Sequence, residues 1–113
     1  MAAAAYTFEV PTGGTVEFTV DVVGGPADLT GYVGSMQIRE LRADPVALLT
    51  LDPSNITVNP GTRQVTVRIP SAVTATFDWE RGVYDVYITG PTQDAWRIVE
   101  GRVTNSLAVT RES

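Results

Sequence analysis

Apolar and polar residues alternate with a period of two along much of this chain. The clearest example runs from Thr15 to Val23, where every second residue is apolar: Val16, Phe18, Val20 and Val22. A period of two places successive side chains on opposite faces of a β-strand, and one apolar face indicates a strand that covers a core on one side. We therefore predict a half-buried strand over this stretch.

A polar turn, Asp28–Gly31, leads into a second alternating stretch, Tyr32–Glu40. Met36 and Ile38 fall on one side of the predicted strand, which we assign to the core. Leu29 is the large apolar residue of the turn, and we expect it to be buried beneath the connection. We interpret the turn as a connection that sets the register of this core strand, with Leu29 as its anchor.

Short stretches of the same kind recur between turn residues. They predict strands at Tyr6–Val10, Val46–Leu51, Asn55–Asn59, Thr62–Ile69, Val83–Thr89, Ala95–Asn105 and Leu107–Thr110, with a bulge or bend at Asn105–Ser106. Ser71–Phe77 predicts only a helical turn, because it is short and rich in β-branched residues. About seven to nine short strands with turn signals every ~8–12 residues are typical of an all-β sandwich, with a small closed barrel as the alternative.

The 113 residues predict a single β-sandwich domain over residues 6–113, preceded by a flexible N-terminal arm over residues 1–5. The arm is too short to hold a helix in water. The alternative is an arm that becomes ordered against a neighbouring subunit. On that hypothesis the candidate partner-binding residues of the arm are Ala2, Ala3, Ala4 and Ala5.

Composition narrows the possible chemistry. The chain has neither cysteine nor histidine, which removes thiolate nucleophiles, disulfides and the usual general base near neutral pH. Thirteen acidic residues against eight basic ones give a net charge of −5, which argues against nucleic acid as a partner. We also expect no membrane partner, because the sequence has no apolar run near the ~20 residues that span a bilayer. We expect no secretory signal, because Met1–Ala5 carry no basic n-region and no adequate apolar h-region.

The remaining catalytic hypothesis is a hydrolase that uses Asp78 and Glu80, two acids in one irregular loop. Acids on a solvated loop are usually only solvated, and the glycines precede no helix that would cradle a phosphate. The sequence also lacks the calcium loop of alternating Asp and Asn residues. We therefore expect a protein that is not an enzyme and needs no cofactor or metal.

Exposed aromatic residues are the other candidates, since Trp, Tyr and Arg carry much of the binding energy at interfaces. Val83 and Tyr87 fall on the face of their predicted strand that points away from Tyr84, so they predict either a contact surface or ordinary sheet packing. Trp79 lies in a loop and could cover the core or bind a partner. Trp96 is a further candidate for partner contact. Unpaired strand edges offer another route to assembly.

Several segments together carry a resemblance to a known family: Gly14–Val20, Pro26–Gly31, Met36–Arg39, Gly82–Val86, Arg97–Thr104 and Val109–Arg111. The chain resembles the small immunoglobulin-like domains of tailed-phage particles. Such domains occur at the N-terminus of siphophage baseplate upper proteins and as short stand-alone virion proteins. The resemblance covers nearly the whole chain and implies an immunoglobulin-like antiparallel β-sandwich, with no catalytic residue.

The resemblance also implies a location in the virion after synthesis in the host cytoplasm. We therefore expect a non-enzymatic structural protein, either a capsid decoration (cement) protein or a small tail or baseplate adaptor. Its expected partners are other virion proteins and further copies of itself. The alternative is a glycan-binding or host-surface adhesion module in which Trp79 or Trp96 stacks on sugar rings.

Overall fold

The computed structural model describes residues 4–41 and 43–106, and these form an all-β fold with one short helix, α1 (Ser71–Thr74). The nine strands of the described residues are β1 (Ala4–Ala5), β2 (Phe8–Pro11), β3 (Val16–Asp21), β4 (Val33–Arg39), β5 (Leu49–Leu51), β6 (Ile56–Asn59), β7 (Gln64–Ile69), β8 (Arg81–Thr89) and β9 (Ala95–Ser106). The strand predicted at Leu107–Thr110 lies outside the described residues.

The strands form two sheets. In the larger one β9 lies between the N-terminal strands and β8, and the order continues through β4 to β5. The smaller sheet has the order β3, β7, β6. The prediction of an all-β fold is confirmed, and most strand pairs are antiparallel.

The N-terminal strands depart from the predicted antiparallel arrangement. Both β1 and β2 pair with β9 in parallel, with Ala4 opposite Val99 and Phe8 opposite Val103. Alternation of apolar and polar residues is the same for a parallel and an antiparallel strand. The direction of pairing therefore depends on how the chain closes over the whole domain, which a local pattern does not encode.

The core lies between the two sheets and is built from the apolar faces of their strands. Its most completely buried side chains are Leu29, Met36, Ile38, Leu51, Ile69, Ile88, Val10, Val65, Val67, Val86, Val99 and Val103. The prediction for Leu29 is confirmed, since this side chain is only 1% exposed beneath its turn. The two sheets approach each other closely where Gly34 of β4 meets Ile56 of β6: a Cβ atom at Gly34 would overlap the Ile56 side chain.

Four aromatic rings close the side of the core between β2 and β3. The ring centroids of Phe8 and Phe18 are 5.1 Å apart, and that of Tyr84 lies 4.9 Å from Phe8. The Tyr84 hydroxyl donates to the Tyr6 carbonyl oxygen at 2.6 Å, and burial raises the pKa of Tyr84 above its ordinary value. The backbone of Tyr6 passes so close to β9 that a Cβ atom at Gly101 would overlap its carbonyl oxygen.

Two local predictions were wrong. Strand β5 begins at Leu49 instead of Val46, because the chain before it folds back on β4. The Arg39 guanidinium donates to the Asp44 carbonyl, and the Leu48 amide donates to the Ile38 carbonyl at 2.6 Å.

The irregularity of β9 also lies elsewhere than Asn105–Ser106. Val86 pairs with Val99 but Tyr87 pairs with Arg97, so the extra residue is Ile98. Both Ile98 and Val99 are buried as a result.

Candidate protein-contact surface

The solvent-facing side of the larger sheet carries two of the residues predicted from the sequence. Alternation along β8 turns Val83, Asp85 and Tyr87 away from the core, and all three side chains are half-buried. Neighbouring strands complete a surface that we call the outer face, defined by Gln37, Arg39, Val83, Asp85, Tyr87, Arg97, Glu100 and Arg102. Two adjoining depressions, of about 210 and 330 Å³, lie on it.

Arg39 lies between these two depressions and contributes to the lining of both. Its guanidinium donates to the Asp44 backbone carbonyl and, at 2.7 Å, to Oε1 of Gln37. Two neutral oxygens therefore fix the orientation of this cation at a half-buried position. A cation that is already oriented loses little conformational entropy when a partner binds.

A groove of about 720 Å³ continues from the outer face at the start of β8. We call it the Trp79 groove, and its lining is formed by Glu40, Leu41, Trp79, Glu80, Arg81, Gly82, Val83 and Arg102. Because Val83 also lines the first depression, the groove and the outer face form one continuous surface. Leu41 is 64% exposed here and adds apolar area that has no role in the core.

Trp79 both covers the core and lines the groove. Its ring packs against the buried Phe77 ring at a tilt of 36°, with centroids 4.7 Å apart, and its backbone carbonyl accepts from the Asn105 side chain at 2.7 Å. The indole is therefore held in place by packing and by the backbone. The part of the ring that remains exposed is a rigid apolar wall, which suits a protein contact.

The continuous surface is electrically balanced in an acidic protein. It carries four of the eight arginines and four of the thirteen acids: Arg39, Arg81, Arg97 and Arg102 with Glu40, Glu80, Asp85 and Glu100. Arg97 and Glu100 form an ion pair at 3.1 Å, with both side chains partly exposed. The rest of the sequence has four arginines and nine acids, so an acidic protein meets less repulsion at this surface than elsewhere.

Trp96 lies on the opposite side of the sheet, facing the core beside Ile88, its partner in the register. Its indole N–H donates to Oδ2 of Asp94 at 3.0 Å, and the Tyr32 hydroxyl donates to the same oxygen. The Thr92 hydroxyl donates to the other carboxylate oxygen at 2.9 Å. Trp96 therefore belongs to a polar cluster that shapes the β8–β9 hairpin, and the structure does not bring it together with Val83 and Tyr87.

The hydrogen bonds from Tyr32, Trp96 and Thr92 lower the pKa of Asp94 to about 2. A lowered folded-state pKa means that the stabilising contribution is complete above the unfolded value of about 3.9 and is lost as the pH falls through about 2. We expect Asp94→Asn to lower the melting temperature at pH 7, and the difference from the wild type to shrink between about pH 4 and pH 2. Thermal unfolding followed by circular dichroism at several pH values measures this.

Asp78→Asn is the control, since Asp78 is exposed in the loop before β8. We expect it to leave the melting temperature unchanged over the same pH range. A difference between wild type and Asp94→Asn that is equally large at pH 2 and pH 7 would contradict the assigned role of the carboxylate.

The predicted arm is only partly described. Ala4 and Ala5 form β1 on the far side of β9 from β8, where Ala5 lies opposite Glu100 of the outer face. Met1, Ala2 and Ala3 lie outside the described residues, so their role in partner binding stays a prediction. For Ala4 and Ala5 the structure provides a backbone partner within the same chain.

Sequence reasoning missed Arg39, Leu41 and the groove that contains them. The alternation of β4 placed Arg39 on the solvent-facing side, but no local pattern identifies β8 as the neighbouring strand. Leu41 carried a signal, because it is a large apolar residue in an otherwise polar connection. Such a residue is either buried or available to a partner, and here it is exposed.

Within residues 4–41 and 43–106, no group of three or more acidic residues is close enough to bind a metal ion. The side chains of Asp78 and Glu80 are both exposed on their loop. In the part of the chain that the structure describes, no helix has the length and apolar character needed to cross a membrane.

No protein-family model matches the chain, and no curated protein is significantly similar to it.

Proposed function

We propose that this protein is a non-enzymatic structural protein of a tailed-phage particle, either a capsid decoration protein or a small tail or baseplate adaptor. The observation that carries the contact function is the continuous surface formed by the outer face and the Trp79 groove. It combines a fixed arginine, a half-buried tyrosine and exposed apolar area. Interfaces are enriched in these residue types.

We further propose that the fold is an immunoglobulin-like sandwich. The strand orders support it: β3, β7 and β6 in one sheet, and β2, β9, β8, β4 and β5 in the other, with one core between them. The parallel pairing of β2 with β9 is compatible with this arrangement, because the N-terminal strand then closes the edge of the larger sheet. The virion setting rests on the family resemblance of the sequence.

The shape of the surface favours a protein partner over a small ligand. Its depressions are open to solvent, and polar and apolar side chains contribute about equally to their lining. Small-molecule sites are usually concave and mostly apolar. A broad surface with balanced charges suits another virion protein or a further copy of this chain.

Location in the particle is the first test. We expect antibodies raised against the purified protein to label intact particles of the phage that encodes this chain, as seen by immunogold electron microscopy. Labelling on heads supports a decoration protein, and labelling on tails or baseplates supports an adaptor. Protein found only in the unassembled fraction of the lysate contradicts both.

The surface has its own test. Tyr87→Glu places a second carboxylate beside Asp85 on the outer face, and we expect it to reduce incorporation into particles about tenfold or more, as loss of an interface hot spot does. Thr57→Glu is the matched control, because Thr57 is an exposed strand residue of the smaller sheet. Incorporation is measured by quantitative immunoblotting of purified particles, with circular dichroism to verify folding. Equal incorporation of both variants would exclude the outer face as the contact surface.

A further inference from the structure

The two sheets have four edges, and the edge at β3 is the least protected among the described residues. The other edge strands are short or interrupted: β5 has three residues, β6 has four, and Tyr6 and Thr7 separate β1 from β2, which ends at a proline. By contrast, β3 has six residues in unbroken register with β7, and neither a proline nor a bulge interrupts it. Proteins normally protect edges by these devices, because an open edge is a template for pairing.

The register shows which backbone groups of β3 point outwards. The Val22 amide donates to the Arg63 carbonyl at 2.9 Å, so this pair is hydrogen-bonded. Hydrogen-bonded and non-hydrogen-bonded pairs alternate along an antiparallel ladder. The outward-directed amides and carbonyls of β3 therefore belong to Glu17, Thr19 and Asp21. No backbone hydrogen bond joins these groups to another described residue on that side.

Apolar area lies beside this edge on the core side of β3. Val16 and Val20 are only half-buried, one on each side of the buried Phe18. Tyr6 lies next to them, 41% exposed, with its ring centroid 5.1 Å from that of Phe18. A strand added here would cover these side chains with its own apolar face.

The solvent-facing side of β3 is acidic. Glu17 and Asp21 are both exposed, on either side of Thr19. If two copies of the chain paired through their β3 edges in antiparallel fashion about Thr19, Glu17 of each copy would lie opposite Asp21 of the other. Like charges directly opposite each other destabilise a sheet. A strand with basic residues at these positions would instead be attracted.

We propose that the β3 edge binds an extended segment of a partner protein by strand addition, and that apolar residues alternate with arginine or lysine in this segment. Backbone hydrogen bonds to Glu17, Thr19 and Asp21 provide affinity. The two carboxylates select basic residues on one face, and Val16, Val20 and Tyr6 select apolar residues on the other. The inference goes beyond the proposed function, because the β3 edge belongs to the smaller sheet and not to the outer face or the Trp79 groove. It does not depend on the virion setting, because it is tested with the purified protein alone.

The test uses a synthetic peptide of alternating valine and arginine, capped at both ends, titrated into the full-length protein. We expect two-dimensional NMR to show chemical-shift changes centred on β3, and amide exchange at Glu17, Thr19 and Asp21 to slow at least tenfold. A peptide with glutamate in place of arginine is expected to bind at least tenfold more weakly. Absence of saturable binding, or shift changes centred on another strand, overturns the proposal.

Thr19→Pro tests the strand addition itself. This substitution removes an outward-directed N–H and leaves the ladder to β7 intact, and proline is tolerated at such edge positions. We expect it to weaken peptide binding at least tenfold. Unchanged binding by a folded Thr19→Pro protein overturns the proposal.

Two charge reversals keep the backbone unchanged, which preserves the test if the proline variant does not fold. Glu17→Lys is expected to weaken binding at least tenfold, whereas Glu9→Lys, an identical change at an exposed position of β2 in the larger sheet, is expected to have no effect. Equal effects of the two reversals would mean that net charge alone attracts the peptide, and would overturn the proposal.

Deletion of residues 107–113 is the last control. Peptide binding that occurs only after this deletion would mean that the chain covers its own edge, and would also overturn the proposal.

Discussion

Gly101→Ala is expected to lower the free energy of unfolding by about 3 kcal/mol, the upper part of the range for overpacked sites. The added Cβ atom would overlap the carbonyl oxygen of Tyr6, which is a backbone atom and has no alternative rotamer. Tyr6 is held there by its own amide, which donates to the Glu100 carbonyl at 3.1 Å, and by the Tyr84 hydroxyl. Relief of the overlap therefore requires the N-terminal strands to move away from β9.

Urea denaturation followed by tryptophan fluorescence measures this change, and Gly61→Ala is the control. Gly61 lies in the exposed turn between β6 and β7, where the nearest atom to an added Cβ is a side-chain oxygen of Asn59 at 3.3 Å. We expect that variant to stay within about 0.5 kcal/mol of the wild type. If Gly101→Ala were equally mild, the close passage of Tyr6 over β9 would not exist in solution.

Gly34→Ala is expected to cost about 2 kcal/mol, because the new methyl group overlaps the Ile56 side chain where the two sheets meet. Ile56→Ala alone is expected to cost about 3 kcal/mol through loss of buried area and the cavity that remains. The double variant is expected to be about as stable as Ile56→Ala alone, because the shorter side chain at position 56 makes room for the methyl group at position 34.

The same denaturation experiment on the four proteins of this cycle gives the coupling free energy. We expect it to be about 2 kcal/mol in the direction of mutual compensation, which is within the range for residues in direct contact. Additive effects of the two substitutions would mean that Gly34 and Ile56 do not touch, and would place the sheets further apart.

The sequence predicted the elements of this fold better than their pairing. The alternation of Val16, Phe18 and Val20 located β3, and the apolar residue in the polar turn located Leu29 in the core. Both properties are local, since they depend on which face of a short segment is apolar. Strand direction is not local, and so the parallel pairing of β2 with β9 was missed.

For the candidate surface, too, the sequence predicted the direction of side chains but not which residues are neighbours. Alternation along β8 correctly turned Val83 and Tyr87 to the outside, because the direction of a side chain follows from its position in the strand. The neighbours of these residues could not be predicted, because Arg39 and Arg97 reach the outer face through strand order. The position of Trp96 depends on its hydrogen bond to Asp94, two residues earlier in the chain, and on the bulge at Ile98, and neither feature has a sequence signature.

The pairing of β2 with β9 also affects when the domain can fold during translation. Phe8 pairs with Val103, which follows it by 95 residues, so the larger sheet remains incomplete until nearly all of these strands have left the ribosome. At ~5–20 residues per second this interval is about 5 to 20 s. Until β9 arrives, β8 has an open edge and the N-terminal strand has no partner. We therefore expect nascent chains that end before β9 to be sensitive to proteases and to bind chaperones.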